Sequence, residues 1–175
     1  ITGSENECSQ MVYLLSSLMR YSLSSPDEPT TLQEEFQYIE TYVEIMKNRF
    51  PDKYDVTYRL DEACAAFPTK RMLLQPLIEN AIYHGIKSKP DKGFICVGAR
   101  KLGRHIAVYV YDNGTGITSD KIAQLKNNLN TEFLYSSDSV GLKNTNFRLT
   151  LAYGKESSIR IKSIQNKFTL VYFFL

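Results

Sequence analysis

Residues 74–85 read Leu-Gln-Pro-Leu-Ile-Glu-Asn-Ala-Ile-Tyr-His-Gly, and a helix over this stretch separates chemistry from core. At about 100° per residue, Glu79, Asn80, Tyr83 and His84 fall within an arc of roughly 140°, opposite Leu74, Leu77, Ile78, Ala81 and Ile82. The polar arc holds a carboxylate, an amide and an imidazole but no Lys or Arg, an odd composition for a face that only meets water. Asparagine is a poor mid-helix residue because its amide competes for backbone hydrogen bonds, so a compensating partner is expected. A hard cation carrying phosphates is one such partner, since Mg²⁺ prefers oxygen ligands and takes only one or two from the protein. A loop or solvent is the other, and the helix alone leaves both open.

Two later stretches can also do chemistry. Asp112-Asn113-Gly114-Thr115-Gly116-Ile117 follows an alternating apolar run. A carboxylate there can accept a hydrogen bond from an exocyclic amine, and glycines let a flat ring approach the backbone. Asp-Asn-Gly is equally good hairpin-turn chemistry. A calcium loop is excluded, because Ala123 stands where the twelfth-position Glu should close it. Gly141 then opens a helical stretch, and free N–H groups at such an end bind phosphate readily.

The elements that must position these residues follow from periodicity. Met11, Leu14, Leu15 and Leu18 predict a short amphipathic helix over residues 6–23. Residues 24–30 (SSPDEPT) are a breaker, and Thr31 with Glu34 forms a capping-box signature. Leu32, Phe36, Ile39, Val43 and Met46 form one stripe, which suits either the chain's own domain or a dimer seam. Residues 55–60 alternate as a half-buried strand. Pro68 is expected to open a helix, and Gly85 to stop the one that carries Asn80. Residues 94–100 and 105–112 read as a hairpin, 119–129 as a short helix, and 130–140 as a long polar loop of the kind that forms lids. A helix over 141–153 and a hairpin over 159–164 and 168–175 close the chain. The last strand is apolar on both faces and should lie deep in the sheet.

Composition narrows the partners. The chain has 175 residues, 43% hydrophobic and 23% charged, with a net charge of +2, the profile of a globular protein of about one domain. No basic stripe with interleaved aromatics points to nucleic acid. Three cysteines at wide spacing suit a reducing compartment rather than a disulfide framework or a zinc site. No apolar run approaches membrane-spanning length, so no membrane contact is expected of these residues themselves.

Glu-Asn on a helix, Asp-x-Gly-x-Gly after a strand and Gly-Leu-x-Asn opening a helix, in this order, resemble the signature boxes of the GHKL (Bergerat-type) ATPases, which include gyrase and the histidine kinases. The residues are Glu79-Asn80, Asp112 to Gly116, and Gly141-Leu142-Lys143-Asn144 with Arg148-Leu149. Together with Leu74-Gln75-Pro76-Leu77, and upstream Met19-Arg20-Tyr21 and Tyr42-Val43-Glu44-Ile45, they resemble most the YesM/LytS-like sensor histidine kinases. The resemblance implies an α/β (α+β) two-layer sandwich: a mixed, mainly antiparallel sheet covered on one face by helices. An N-terminal helical segment, residues 1–29, would be a remnant of the dimerisation and phosphoacceptor region, and residues 30–175 the ATP-binding catalytic domain. It further implies ATP and Mg²⁺ as cofactors. Asn80 would hold the metal, Asp112 read the adenine amine, Gly114 and Gly116 shape the pocket, and Ile117 and Leu142 line it. Gly141 and Asn144 would meet phosphate, Thr169 lie near adenine, and Glu79 and His84 stand beside the phosphates as catalytic residues.

The implied activity is transfer of the γ-phosphoryl group of Mg·ATP to a histidine of the parent kinase, in a homodimer that serves a response regulator. The fragment would be the cytoplasmic portion of an inner-membrane sensor. The family's acceptor histidine sits in a Pro-His-Phe motif, which this chain lacks; its histidines are His84 and His105. Ser139 replaces a lid glycine, and Phe168 replaces the glycine before Thr169, which would set a bulky ring near adenine. Those two departures leave room for a second reading, a non-catalytic module that relays conformational signals.

Overall fold

A computed structural model describes residues 2–23, 28–130 and 140–175. Helix α1 (Thr2–Leu23) packs on α2 (Leu32–Arg49), which starts at a complete capping box: the Glu34 N–H donates to Thr31 Oγ1 at 3.2 Å, and the Thr31 N–H donates to Glu34 Oε2 at 2.9 Å. Leu32, Phe36, Ile39, Val43 and Met46 are all buried in the chain's own core. This removes the dimer-seam reading of that stripe.

Pro68 does not open a helix. The described turn of helix lies earlier, in α3 (Glu62–Ala65), while β3 (Pro68–Thr69) pairs antiparallel with β1 (Thr30–Thr31). The Leu32 N–H donates to Phe67 O at 3.0 Å, so this small ladder commits the Pro68 backbone to an extended path. The sheet proper has five strands in the order β2 (Tyr54–Leu60), β4 (Gly93–Leu102), β5 (His105–Asp112), β7 (Phe168–Phe174), β6 (Arg160–Ile164). Only the β2–β4 pairing is parallel.

Inward residues of β5 and β7, Val108, Val110, Asp112, Thr169, Val171 and Phe173, are buried beneath the helices. The outward residues Tyr109, Tyr111, Phe168, Tyr172 and Phe174 are half-buried. The last strand is therefore interior by pairing, but only one of its faces lies in the core. Its outward aromatics are partly covered by neighbours on the same face: Arg160 lies 4.7 Å over the Phe174 ring and Lys162 5.7 Å over that of Tyr172.

Helix α4 (Gln75–Asn80) does not stop at Gly85. It widens into a π-helical turn, Ala81–Ile86, in which the Lys87 N–H reaches Ile82 O at 2.9 Å. Buried Ile82 and Ile86 anchor the continuation. Such turns are uncommon and concentrate at functional sites. Helices α5 (Ser119–Asn130) and α6 (Val140–Tyr153) follow, and Gly154, at φ +88, ends α6. The expected lid over 130–140, including Ser139, lies outside the described residues except at its two ends.

Thr31→Ala should cost about 1 kcal/mol through loss of the cap, lowering Tm by roughly 2–4 °C in a chain of this size. Thermal melting checks this; no shift would mean that the box does not hold α2.

Candidate functional site

Where β5 ends, the chain does not turn into a hairpin. β5 pairs with β7, and the Asn113 N–H donates to Phe94 O at 3.1 Å while Asn113 Oδ1 accepts from the Phe94 N–H at 2.7 Å. The segment 113–118 then leads to α5, tied to the π turn through Thr115. The hairpin alternative for Asp112-Asn113-Gly114 is thereby excluded.

The Asp112 carboxylate, 3% exposed, accepts from the Gly114 N–H at 2.9 Å. It packs against the backbone of Gly85, where an added Cβ would stand 2.4 Å from Asp112 Oδ1. A Cβ on Gly114 would in turn lie 2.2 Å from Gly85 O. The Thr115 N–H donates to Gly85 O at 3.0 Å and Thr115 Oγ1 to His84 O at 3.2 Å. Gly85 is therefore needed for close approach, not for helix termination. Burial raises the Asp112 carboxyl to about 7, against the pull of the Gly114 hydrogen bond.

A cavity of about 370 Å³ opens above this carboxylate. Asp112 and its register partner Thr169 lie on its sheet side, with apolar walls from Leu77, Ala81, Val110, Leu125, Leu142, Ile161 and Val171. Asn80, His84, Gly116 and Ile117 complete the expected residues that line it. A second hollow of about 190 Å³, walled by Glu79, Tyr83, Val140 and Gly141, shares Asn80 and His84 with the first. Gly114 sits behind Asp112 rather than at the wall, and Asn144 is exposed on α6 and lines neither space.

Asn80 Nδ2 donates to the Pro76 carbonyl one turn back, the backbone competition expected of a mid-helix amide. This commits the NH₂ and turns the amide oxygen away from that carbonyl. Glu79 is held on the α2 side: Gln75 Nε2 donates to it at 2.8 Å, and the Tyr42 hydroxyl hydrogen-bonds it. Among the described residues no group of three or more His, Cys, Asp or Glu could hold a metal by itself, so the donor set fits a hard cation only where phosphates and water supply most of its ligands.

Phe168 does not enter the cavity. Successive strand residues face opposite ways, so with Thr169 inward its ring lies on the outer face, stacked on Tyr111 at 5.8 Å. The bulky ring expected near Thr169 is therefore kept out of the cavity. Sequence reasoning missed Thr115, Thr118, Lys121, Gln165 and Asn166 at the cavity wall. Lys121 and Leu125 share a helix face at i, i+4, a spacing that could have revealed them. Gln165 and Asn166 arrive through the β6–β7 turn, whose Asn166 N–H donates to Thr115 O at 2.6 Å. No local sequence signal marks that contact.

Comparison with known proteins bears on this geometry. A family model described as "Histidine kinase" matches residues 1–54. The sensor protein kinase HptS of Staphylococcus aureus (strain USA300) is 32% identical over 171 residues, 98% of this chain. Over nearly its whole length the chain is thus similar to a sensor histidine kinase. It spans about a third of the length of that curated relative, 32%. The catalytic domain of histidine kinase ThkA superposes with a TM-score of 0.58 at 17% identity, covering 85% of this chain and 94% of that one. The mycobacterial sensor histidine kinase MprB gives 0.57 at 17% identity, covering 85% and 95%. A complex of ThkA with the response regulator TrrA matches over 98% of this chain and 48% of that one, with a TM-score of 0.55 at 16% identity. The sheet and its helical layer thus share the fold of histidine kinase catalytic domains. The family model covers the two N-terminal helices, whereas the cavity is built from residues beyond its match.

The raised Asp112 value carries a stability signature. The folded state holds this proton between the ordinary value, 3.8, and about 7, so its contribution makes stability fall as pH rises through that window. Asp112→Asn removes the ionisation. In urea unfolding, the variant should gain on the wild type by about 1 kcal/mol or more between about pH 4 and pH 8. An unchanged difference would mean that Asp112 titrates normally.

Proposed function

We propose that this chain binds Mg·ATP in the cavity above Asp112 and acts as the catalytic domain of a sensor histidine kinase of the YesM/LytS-like type. The observation that carries the reading is a buried carboxylate on the sheet side of an apolar slot that the Asn80 amide also lines. The carboxylate suits an exocyclic amine, the apolar walls suit a planar base, and the polar end lies toward Asn80 and His84. Asp112 accepts the adenine amine, with Thr169 beside it. Ile117 and Leu142 flank the base and Gly116 lets the backbone approach it, while Gly114 makes room for the Gly85 carbonyl behind Asp112. Asn80 would supply an oxygen to Mg²⁺, and His84, Glu79 and the Gly141 end of α6 would stand near the phosphates. Asn144, exposed and outside both spaces, has no such support. Mg²⁺, when bound, would neutralise charge on the phosphate oxygens.

The chain's own residues orient the nucleotide and exclude water around the base. The γ-phosphorus is then presented to an imidazole nitrogen of a separate phosphoacceptor histidine: the new N–P bond forms as the bond to the β-phosphate oxygen breaks. That histidine belongs to the parent protein, which we propose to be a dimeric, membrane-anchored sensor that passes the phosphoryl group to a response regulator. The exposed stripe Val12, Leu15, Met19 and Leu23 on α1 supports assigning residues 1–29 to its dimerisation region. Among the described residues no helix is long and apolar enough to cross a membrane. The reading as a non-catalytic relay loses one of its two supports with Phe168 turned out of the cavity; the other, Ser139, lies outside the described residues.

Calorimetric titration of ATP and GTP into the wild type and Asp112→Ala tests the adenine assignment. A hydrogen bond to a charged group contributes about 1.5–3 kcal/mol, so ATP should bind roughly ten- to 150-fold more weakly and GTP should change little. Equal losses for both nucleotides, or none for ATP, would refute it. Asn80→Ala should erase the strengthening of ATP binding by Mg²⁺ while the melting curve stays near wild type. Undiminished Mg²⁺ dependence would remove Asn80 as a metal ligand.

A further inference from the structure

The turn Arg71–Leu74 leads directly into α4 and is gripped from two sides. Below it, Glu35 of α2 is 0% exposed, and its carboxylate accepts from the N–H groups of Met72, Leu73 and Leu74 at 2.6, 2.9 and 3.2 Å. Tyr21 of α1 donates to the same carboxylate at 2.5 Å. Above it, the guanidinium of Arg148 on α6 donates to the carbonyls of Met72, at 3.4 Å, and Arg71. The turn's peptide groups thus run from an anion at their N–H ends to a cation at their carbonyl ends, each complementing the local dipole. Met72 is held at φ +57, a left-handed conformation that a bulky residue adopts only when its surroundings impose it.

The grip reaches the phosphate side of the site through α6. Its first turn rests on α4, where a Cβ added to Gly141 would lie 3.4 Å from Pro76 Cβ. Arg148 lies seven residues along, roughly 10 Å of helix. Two points of attachment, Gly141 on Pro76 and Arg148 on the turn before it, therefore fix the attitude of α6 against α4. That attitude sets the width of the hollow between Asn80 and His84 on one side and Val140 and Gly141 on the other. Asp112, by contrast, lies on β5 and makes no contact with the turn through this grip.

We infer that Arg148 and Glu35 are positioning residues for the phosphate end of the nucleotide: by clasping the Arg71–Leu74 turn they hold α6 and the Asn80 helix at the spacing that Mg·ATP requires. The inference rests on the function proposed above. It goes further, because it assigns a role to two residues outside the cavity and separates the phosphate end from the adenine end. Arg148 touches neither the cavity nor the second hollow, so its loss acts through α6 alone.

The test uses the 175-residue chain and titrates ATP calorimetrically with EDTA and with Mg²⁺ for the wild type, Arg148→Gln, Arg148→Lys and Glu35→Gln, with a melting curve for each. Arg148→Gln should bind ATP in EDTA within about twofold of wild type and lose about tenfold in the presence of Mg²⁺. Arg148→Lys, which keeps a cationic donor, should recover part of that loss. Glu35→Gln should show the same Mg²⁺-specific deficit, and if its burial prevents folding the two Arg148 variants still decide the matter. Equal losses in EDTA and in Mg²⁺, tracking the melting temperature, would mean that the clasp is merely structural and overturn the inference. Unchanged Mg²⁺ dependence in Arg148→Gln would overturn it too. A wild type that gains nothing from Mg²⁺ would overturn the function proposed above and this inference with it, a result distinguishable from failure of the variants alone.

Discussion

Asp112 sits in a space left by two missing side chains, and the site is arranged around that fit. Its carboxylate lies where the Cβ of any residue other than glycine at position 85 would be, and the Gly85 carbonyl occupies the corresponding space at Gly114. The contact brings the end of β5 against the π turn of the Asn80 helix more closely than side chains would allow. Burying an acid there disfavours its charged form, and its protonation is displaced upward to about 7 accordingly. Only one backbone hydrogen bond, from Gly114, offsets it in the free protein. A ligand that donates a further hydrogen bond would be favoured for that reason. An exocyclic amine is such a donor.

The π turn follows from the same constraint. Buried Ile82 and Ile86 must both reach the core while Gly85 faces the carboxylate and Asn80 faces the cavity. One extra residue in the turn adjusts the phase between those demands. Farther from the cavity, the fully buried Glu35 ties α1, α2 and the entry to α4 into one unit. The N-terminal helices that the family model recognises are thus joined by hydrogen bonds to the helix that carries Asn80.

Most of the framework was legible in the sequence because local rules determine it. The capping box at Thr31 and Glu34, the alternation of β5, and the grouping of Asn80, His84, Asp112, Gly116 and Thr169 all rest on short-range periodicity or on boxes with a fixed order. What misled were residues whose reasons lie far along the chain. Gly85 looks like a helix stop because its true partner is Asp112. Pro68 looks like a helix start because its strand partner is Thr31. Glu35 looks like one more first-turn acid, since nothing nearby announces the donors at residues 72–74. Phe168 is different: strand alternation alone opposes it to Thr169, and that parity was available from the sequence.

The central claim is that adenine reaches the Asp112 carboxylate while the phosphates lie toward Asn80. It is tested most directly by determining the structure of this chain with Mg²⁺ and a non-hydrolysable ATP analogue. The account predicts the adenine amine within hydrogen-bond distance of Asp112, and a Mg²⁺ ion with the Asn80 side-chain oxygen among its ligands. Adenine bound elsewhere, or a metal site that leaves Asn80 uninvolved, would contradict it.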